Sequence, residues 1–143
     1  MKRIAVLAAA SLLAASCASL RNDPGAEGCS SRDSCVVTVV VRGCSARNIV
    51  AKPEVLHVRK GYSGDIEWRL DAPPKWEFAE NGIEFKDPGS LREFGEKKKG
   101  ARDFRWFDKN TKPGPHEYNI NVVSPETGKT CTLDPTIMND DHP

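Results

Sequence analysis

Histidine, cysteine and methionine are the residue types in this sequence that could hold a metal ion. The chain has three histidines and five cysteines. Towards the C-terminus, Cys131, Met138 and His142 would offer a thiolate, a thioether and an imidazole, which are ligands that suit copper(I). Their spacing matches no motif, and half of a disulfide is the better explanation for Cys131. We therefore expect neither a metal nor a cofactor, and a copper carrier with non-standard ligands stays open as the alternative function.

The other two histidines lie in predicted strands. His57 sits in the middle of one, where we expect a structural role. His116 follows Pro115 at the start of another, and we expect its side chain to be exposed.

The sequence has no motif for nucleophilic or phosphoryl chemistry. Gly-x-Ser-x-Gly, a glycine-rich phosphate loop and zinc-type spacing are all absent. A glycosidase would need a pair of carboxylates, and no pair is singled out among the acidic residues. We therefore expect no enzyme and no catalytic residues, with an unrecognised carboxylate site as a further hypothesis.

Basic side chains near Trp106 could form a patch for anionic glycans or lipid headgroups. Glu93 and Glu96 partly cancel their charge, so a solvated surface loop is the alternative. The candidate patch comprises Lys97, Lys98, Lys99, Arg102 and Arg105.

The N-terminus has the composition of an export signal. Lys2 and Arg3 precede the apolar segment 4–13, and the small residues 14–16 follow it. We expect a signal peptide over 1–16. Its removal would change the formal net charge from +1 to −1, and a charge so close to zero gives no field for steering onto nucleic acid.

Cys17, directly after the small residues, resembles the lipidated cysteine of a bacterial lipoprotein signal. The resemblance implies a diacylglycerol on this thiol, and Ala18 in place of aspartate implies the periplasmic face of the outer membrane. Ala14 stands where such signals usually have leucine, so ordinary secretion with cleavage after Ala18 stays open. Either route removes one cysteine from an odd total of five, which suits an oxidising compartment.

The mature chain divides into a polar tether over 17–34, a folded domain over 35–134 and a polar tail over 135–143. Short strands alternate with turn signals through the domain, as in 65–70 and 116–123, and Asn81-Gly82 predicts a hairpin. The segment 87–102 is predicted as a surface loop with one helical turn near Leu91. The pattern predicts an all-β, antiparallel Greek-key sandwich of about seven strands, immunoglobulin-like in architecture, with an open barrel as the alternative.

Two segments resemble cupredoxins, the small β-sandwich proteins that often carry blue copper. Pro53–Gly61 leading into Ile66–Trp68 is similar to the family's strand, glycine turn and tryptophan strand, and Pro113–Ile120 is similar to its Pro-Gly-x-Tyr strand. A blue-copper site needs two imidazoles and a thiolate. Residues 71–78 contain no histidine, and 122–129 contain neither cysteine nor histidine. The resemblance therefore implies a relative without copper.

Four cysteines remain in the mature chain, and four allow three disulfide connectivities. In cupredoxin-like sandwiches the first strand lies beside the strand that matches His116–Val123 and runs parallel to it, so both strands end at the same end of the sandwich. The resemblance thus implies that Cys44, just after the first strand, lies near Cys131 and forms a bridge with it. This pairing leaves Cys29 with Cys35.

These observations together predict a non-catalytic cell-envelope lipoprotein. We expect it to be held on the membrane by its N-terminal lipid and to act as a binding or interaction module. Its partner would be an envelope protein or a glycan that the sequence does not specify.

Overall fold

The computed structural model describes residues 28–30 and 35–141, which form an all-β fold with one short helix, α1 (Pro88–Glu93). The predicted signal peptide, Cys17 and His142 lie outside these residues. Among the described residues, no helix has the length and apolar character that crossing a membrane requires. The strands are β1 (Gly28–Cys29), β2 (Val36–Val41), β3 (Ile49–Lys52), β4 (Val55–Val58), β5 (Gly64–Asp71), β6 (Glu77–Phe85), β7 (Phe94–Lys99), β8 (Asp103–Asp108), β9 (Gly114–Val123), β10 (Thr130–Leu133) and β11 (Thr136–Asn139).

The strands form a sandwich of two sheets, which confirms the predicted fold class. One sheet has the order β3-β2-β5-β8-β7, and the other has β1-β4-β11-β9-β10 with β6 also paired to β9. Neither sheet closes into a barrel within the described part of the chain. Two details differ from the prediction. The sheets are mixed, because β2 and β5, β1 and β4, and β4 and β11 run parallel, and eleven strands are present where about seven are expected.

Alternation of apolar and polar residues explains the strands at the centre of each sheet. In β5, Ile66, Trp68 and Leu70 are buried while their neighbours are more exposed. The same period holds in β9, where the predicted inward set of alternating apolar residues from Tyr118 to Val122 is buried. In the valine-rich β2, alternate residues are fully buried and those of the outer face are half-buried, although almost every residue is apolar.

A hydrogen bond between large aromatic side chains joins the two sheets at the core. The Trp68 indole Nε1 donates to the Tyr118 hydroxyl at 3.1 Å, and the rings meet edge to face with centroids 5.5 Å apart. Burial raises the pKa of the Tyr118 hydroxyl, which therefore stays protonated at neutral pH. The buried Trp68 N–H thus has an acceptor inside an apolar core.

The predicted Asn81-Gly82 hairpin is absent, because both residues lie inside the continuous strand β6. The pairing of β6 with β9 shifts register between Phe78 and Ile83, which marks a bulge rather than a turn. A Cβ on Gly82 would lie 2.9 Å from the Cβ of Phe78 and 3.0 Å from Cδ2 of Phe104. Glycine is therefore required here by close packing, and the sequence signal for a turn has a different cause.

The segment 87–102 is not a loop as predicted but contains α1 and the edge strand β7. Asp87 caps α1, because its Oδ1 accepts a hydrogen bond from the Ser90 backbone N–H at 2.9 Å, and Pro88 occupies the first turn. The predicted helical turn is thus present. Exposed lysines along β7 are a common means of preventing an edge strand from pairing with other chains.

The structure also corrects the predicted boundaries of the domain. Thr136–Asn139 lie in the predicted polar tail, but they form β11 between β4 and β9, with Ile137 0% exposed. A strand with a single inward apolar residue is too short for its alternation to be recognised. Within the predicted tether, Gly28–Cys29 form β1 beside β4, and Cys29 is buried.

Two disulfides are formed, Cys29–Cys35 and Cys44–Cys131, which is the pairing implied by the cupredoxin resemblance. The implied strand arrangement is wrong, however, because β2 and β9 lie in opposite sheets. Cys44 follows β2 and Cys131 lies in β10, with their Cα atoms 5.1 Å apart. The bridge therefore ties one sheet to the other at one end of the sandwich.

Candidate functional site

A pocket of about 580 Å³ opens at the end of the sandwich that carries the Cys44–Cys131 bridge. Three chain segments line it: residues 42–44 after β2, 73–76 before β6, and 124–129 between β9 and β10. Its volume falls within the range of small-molecule sites, about 300–1,000 Å³. Because loops on a rigid scaffold commonly carry binding residues, this pocket is the candidate functional site.

The turn between β9 and β10 is held by its own backbone. The Ser124 N–H donates to the carbonyl of Lys129 at 2.9 Å, and the Gly128 N–H donates to the carbonyl of Ser124 at 2.9 Å. Gly128 has a φ of 65°, a left-handed conformation that glycine adopts without a steric cost. The ends of this pocket wall are therefore fixed by hydrogen bonds.

Arg102 holds the opposite wall. Its guanidinium donates to four backbone carbonyls at distances between 2.8 and 3.3 Å, one near the end of β5 and three in the loop before β6. The acceptors are the carbonyls of Leu70 in β5 and of Ala72, Pro73 and Trp76 in the loop. Arg102 is predicted to belong to a basic patch, whereas in the structure it holds the pocket loop. Lys75 in this loop has a φ of 76°, and such backbone conformations concentrate at functional sites.

The charged residues of the pocket leave two ammonium groups without an ion-pair partner. Arg42 is occupied, because it donates to the Asp71 carbonyl at 2.9 Å and lies 3.4 Å from the Asp71 carboxylate. Lys75 and Lys129 make no ion pair with any described residue, and neither does the single acidic lining residue, Glu126. The lining therefore has a net positive charge.

Two nearly buried polar side chains also line the pocket. Trp76 is 8% exposed and Ser124 is 5% exposed. Within the described residues, neither the indole N–H nor the hydroxyl has a hydrogen-bond partner, yet neither atom is fully enclosed by protein. Both groups are therefore unpaired donors with some access to solvent, which is unusual for polar groups of buried residues.

The members of the basic patch predicted from the sequence make different contacts in the structure. Arg102 is occupied by carbonyls, Arg105 lies 3.3 Å from Glu67, and Lys99 lies 3.8 Å from Glu80. Lys97 and Lys98 stay exposed on β7 without an ion pair to the described residues. The predicted members thus have three different roles.

A smaller cavity of about 230 Å³ lies on the outer face of the five-stranded sheet, and its charged lining side chains form ion pairs with one another. Glu67 accepts hydrogen bonds from Arg69 at 2.9 Å and from Arg105 at 3.3 Å. The hydrogen bond from Arg69 is the main cause of the lowered pKa of Glu67. Because its charges already have partners, this cavity is the weaker candidate.

The buried carboxylate of Asp108 in β8 contacts the amide of Asn139 in β11. Asp108 is 0% exposed, and its Oδ1 accepts hydrogen bonds from the Asn110 N–H at 2.8 Å and from the Asn139 amide at 3.4 Å. Its Oδ2 and the Oδ1 of Asn139 are both enclosed and have no partner. Burial raises the pKa of Asp108 to about 6, and the nearby Glu93 carboxylate adds to this increase.

Glu93 is also buried, but its carboxylate is held by donors. The backbone N–H of Thr111, the Thr111 hydroxyl at 2.8 Å and the Lys112 N–H at 3.3 Å all donate to it. Burial disfavours the charged form, yet the hydrogen bonds outweigh it and lower the pKa of Glu93. This carboxylate therefore fixes the connection between β8 and β9.

Aspartate, serine and histidine meet at α1, but in an order unlike that of a catalytic triad. The Ser90 hydroxyl lies between the Asp87 carboxylate and Nδ1 of His116, 2.7 Å from the latter. In a triad the histidine takes the middle position, so that it can accept the serine proton. His116 is 1% exposed because it points inward from β9, which corrects the prediction of an exposed side chain. Ser90 is equally buried.

The soft-ligand set considered from the sequence is not available as a thiolate site. Cys131 is bonded to Cys44, and His142 lies outside the described residues. His57 makes a structural contact instead, as predicted, with its Nδ1 3.0 Å from Oδ1 of Asp140. Among the described residues, no three side chains of the histidine, cysteine and acidic types are grouped so that they could hold a metal ion.

Sequence reasoning did not find the pocket. The tryptophan near two prolines in the segment 73–76 is a local feature of the sequence that could have pointed to it. Lys75, Lys129 and Ser124 carry no motif, and they come together only when three distant loops meet at one end of the sheets.

Compared with known proteins, the chain matches no family model, and the curated proteins include no similar sequence.

Proposed function

We propose that this protein is an exported, lipid-anchored binding module, and that the pocket at the Cys44–Cys131 end of the sandwich is its ligand site. The module is non-catalytic and cupredoxin-like, without the copper site of that family. Its partner belongs to the bacterial cell envelope.

The cysteines support the proposed location. All four described cysteines are paired in disulfides, and Cys17 is the fifth cysteine of the chain. Structural disulfides form in oxidising compartments such as the periplasm. A lipid on Cys17 accounts for the thiol that has no partner among the other four.

One observation about the pocket supports the proposed binding function. Lys75, Lys129, Trp76 and Ser124 line it with polar side-chain groups that have no partner among the residues that the structure describes. Buried polar groups are normally satisfied within the protein, so unpaired donors that face one cavity are the mark of a site for an external molecule.

The test compares charge reversals inside and outside the pocket. The K75E/K129E variant changes two exposed pocket lysines, and K97E/K98E makes the same change on two exposed lysines of β7. Each protein is purified as its cells process it and incubated with the small-molecule fraction of an envelope extract. Native mass spectrometry then detects a bound adduct, and thermal unfolding detects stabilisation by the ligand.

We expect an adduct and a raised Tm for the wild type and for K97E/K98E, and neither for K75E/K129E. A ligand at about a hundred times its Kd stabilises the folded state by about 2.7 kcal/mol, which is measurable as a shift in Tm. An adduct that K75E/K129E retains in full, or no adduct in any variant, contradicts the proposal.

A further inference from the structure

We propose that the pocket recognises its ligand through an oxyanion, a carboxylate or a phosphate, carried on a small polar molecule. Lys75 and Lys129 provide the positive charge, and the Trp76 indole and the Ser124 hydroxyl donate hydrogen bonds to the ligand oxygens. This inference rests on the proposed function and names the chemical class of the ligand at that same site.

The unpaired charges of the pocket determine the sign of the charge that the ligand should carry. Arg42 is paired with Asp71, so within the described part of the chain the cations of the lining without an ion-pair partner are the ammonium groups of Lys75 and Lys129. Both lysines are exposed side chains at the rim of the pocket, where an ammonium still attracts an anion by about 1–4 kcal/mol at contact distance. Two such groups at one pocket favour an anionic ligand.

The Trp76 N–H and the Ser124 hydroxyl determine which hydrogen-bonding groups the ligand should offer. An indole N–H can only donate a hydrogen bond, and an oxyanion offers several acceptor lone pairs. Hydrogen bonds to charged acceptors are about twice as strong as those between neutral groups. The Trp76 and Ser124 groups therefore match the oxygens of the same anion that the lysines attract.

The exposure of Trp76 argues against a stacking role. With 8% of its surface exposed, the indole leaves little of its ring face free for a ligand. Sugar stacking needs the ring face, so a neutral sugar would gain little here. Pro73, Pro74 and Pro125 add an apolar wall that can contact the carbon skeleton of the ligand.

Glu126 limits the number of negative charges that the pocket accepts. Its carboxylate has no ion-pair partner among the described residues and lines the same pocket. A second anionic group near it would be repelled, whereas a ligand hydroxyl or amine could donate to it. A single oxyanion on a hydroxylated or amino-bearing molecule satisfies both lysines and Glu126.

Three probes that share one sugar separate these features. Galacturonate carries a carboxylate, galactose 1-phosphate carries a phosphate, and galactose carries neither. Isothermal titration of each probe into the protein, purified as its cells process it, measures the affinity at low ionic strength. Tighter binding of the uronate assigns a carboxylate ligand, and tighter binding of the phosphate assigns a phosphate ligand.

We expect at least one charged sugar to bind with a Kd of about 1 mM or less, and galactose to bind at least about tenfold more weakly. The neutral variant K75M/K129M should lose about tenfold or more in affinity, while K97M/K98M should match the wild type. Ser124→Ala should weaken binding by about fivefold through loss of one hydrogen bond.

Equal binding of galactose and both charged sugars overturns the oxyanion inference, as does the absence of binding by either charged sugar. Unchanged affinity in K75M/K129M overturns it as well. The proposed function fails separately, because an envelope-derived adduct that depends on the pocket would still support a binding module whose ligand is uncharged.

Discussion

Replacing Asp108 with asparagine should stabilise the folded protein at neutral pH. Asp108 is fully buried, and its Oδ2 has no hydrogen-bond partner among the described residues. The substitution replaces Oδ2 with an uncharged amide nitrogen. The remaining oxygen can still accept from the Asn110 N–H and the Asn139 amide. The substitution therefore removes a buried charge and keeps the existing hydrogen bonds.

The size of the effect follows from the raised pKa of Asp108. Folding moves it from 3.8 to about 6, mainly through burial, while the Glu93 carboxylate adds to the increase and His116 opposes it. The difference between these two pKa values corresponds to about 3 kcal/mol. Because the folded pKa is the higher one, this stability is complete below about pH 4 and is lost as the pH rises through about 6.

Urea unfolding of the wild type and Asp108→Asn across this pH range measures the effect. The stability of the variant relative to the wild type should rise by up to about 3 kcal/mol between about pH 4 and pH 8. Asp103→Asn, which changes an exposed carboxylate of the same strand, is the control and should show no such trend. A difference between Asp108→Asn and wild type that is flat with pH, or that falls as the pH rises, would refute the reasoning.

Three further substitutions test the fold and the pocket. Replacing both Cys44 and Cys131 with serine should lower the free energy of unfolding by about 4–5 kcal/mol, because the bridge spans 87 residues. Urea unfolding measures this change, and a loss below about 1 kcal/mol would contradict the prediction. Tyr118→Phe should cost about 1–3 kcal/mol in the same assay because it leaves the Trp68 N–H unpaired, and an unchanged stability would count against that contact. Arg102→Lys keeps the charge but cannot hold four carbonyls, so it should weaken binding of the charged sugars several-fold, and full affinity would exclude a positioning role.

Local patterns were sufficient to predict the central strands. The alternation in β5 and β9 identifies inward residues such as Trp68 and Tyr118, because period-two burial is a property of the strand itself. The cysteine pairing was also predicted, although the strand arrangement from which it was inferred is wrong.

Features that depend on tertiary packing could not be predicted from the sequence. Gly82 is required by contact with Phe78 and Phe104, which no local pattern distinguishes from a turn glycine. β11 is a strand because β4 and β9 leave a gap between them, and His116 is buried because it shares the inward face of β9. The pocket needs loops more than eighty residues apart, from Arg42 to Lys129, so its residues have no common sequence signal.

The proposal of an exported, lipid-anchored binding module is tested most directly at Cys17. Intact-mass analysis of the protein recovered from the envelope of its own cells gives the N-terminal residue, its modification and the state of the thiols. We predict a chain that starts at Cys17, carries lipid on that residue and contains two disulfides, and Cys17→Ala should abolish the lipid. An uncleaved chain from the cytosolic fraction with five reduced cysteines would contradict the account.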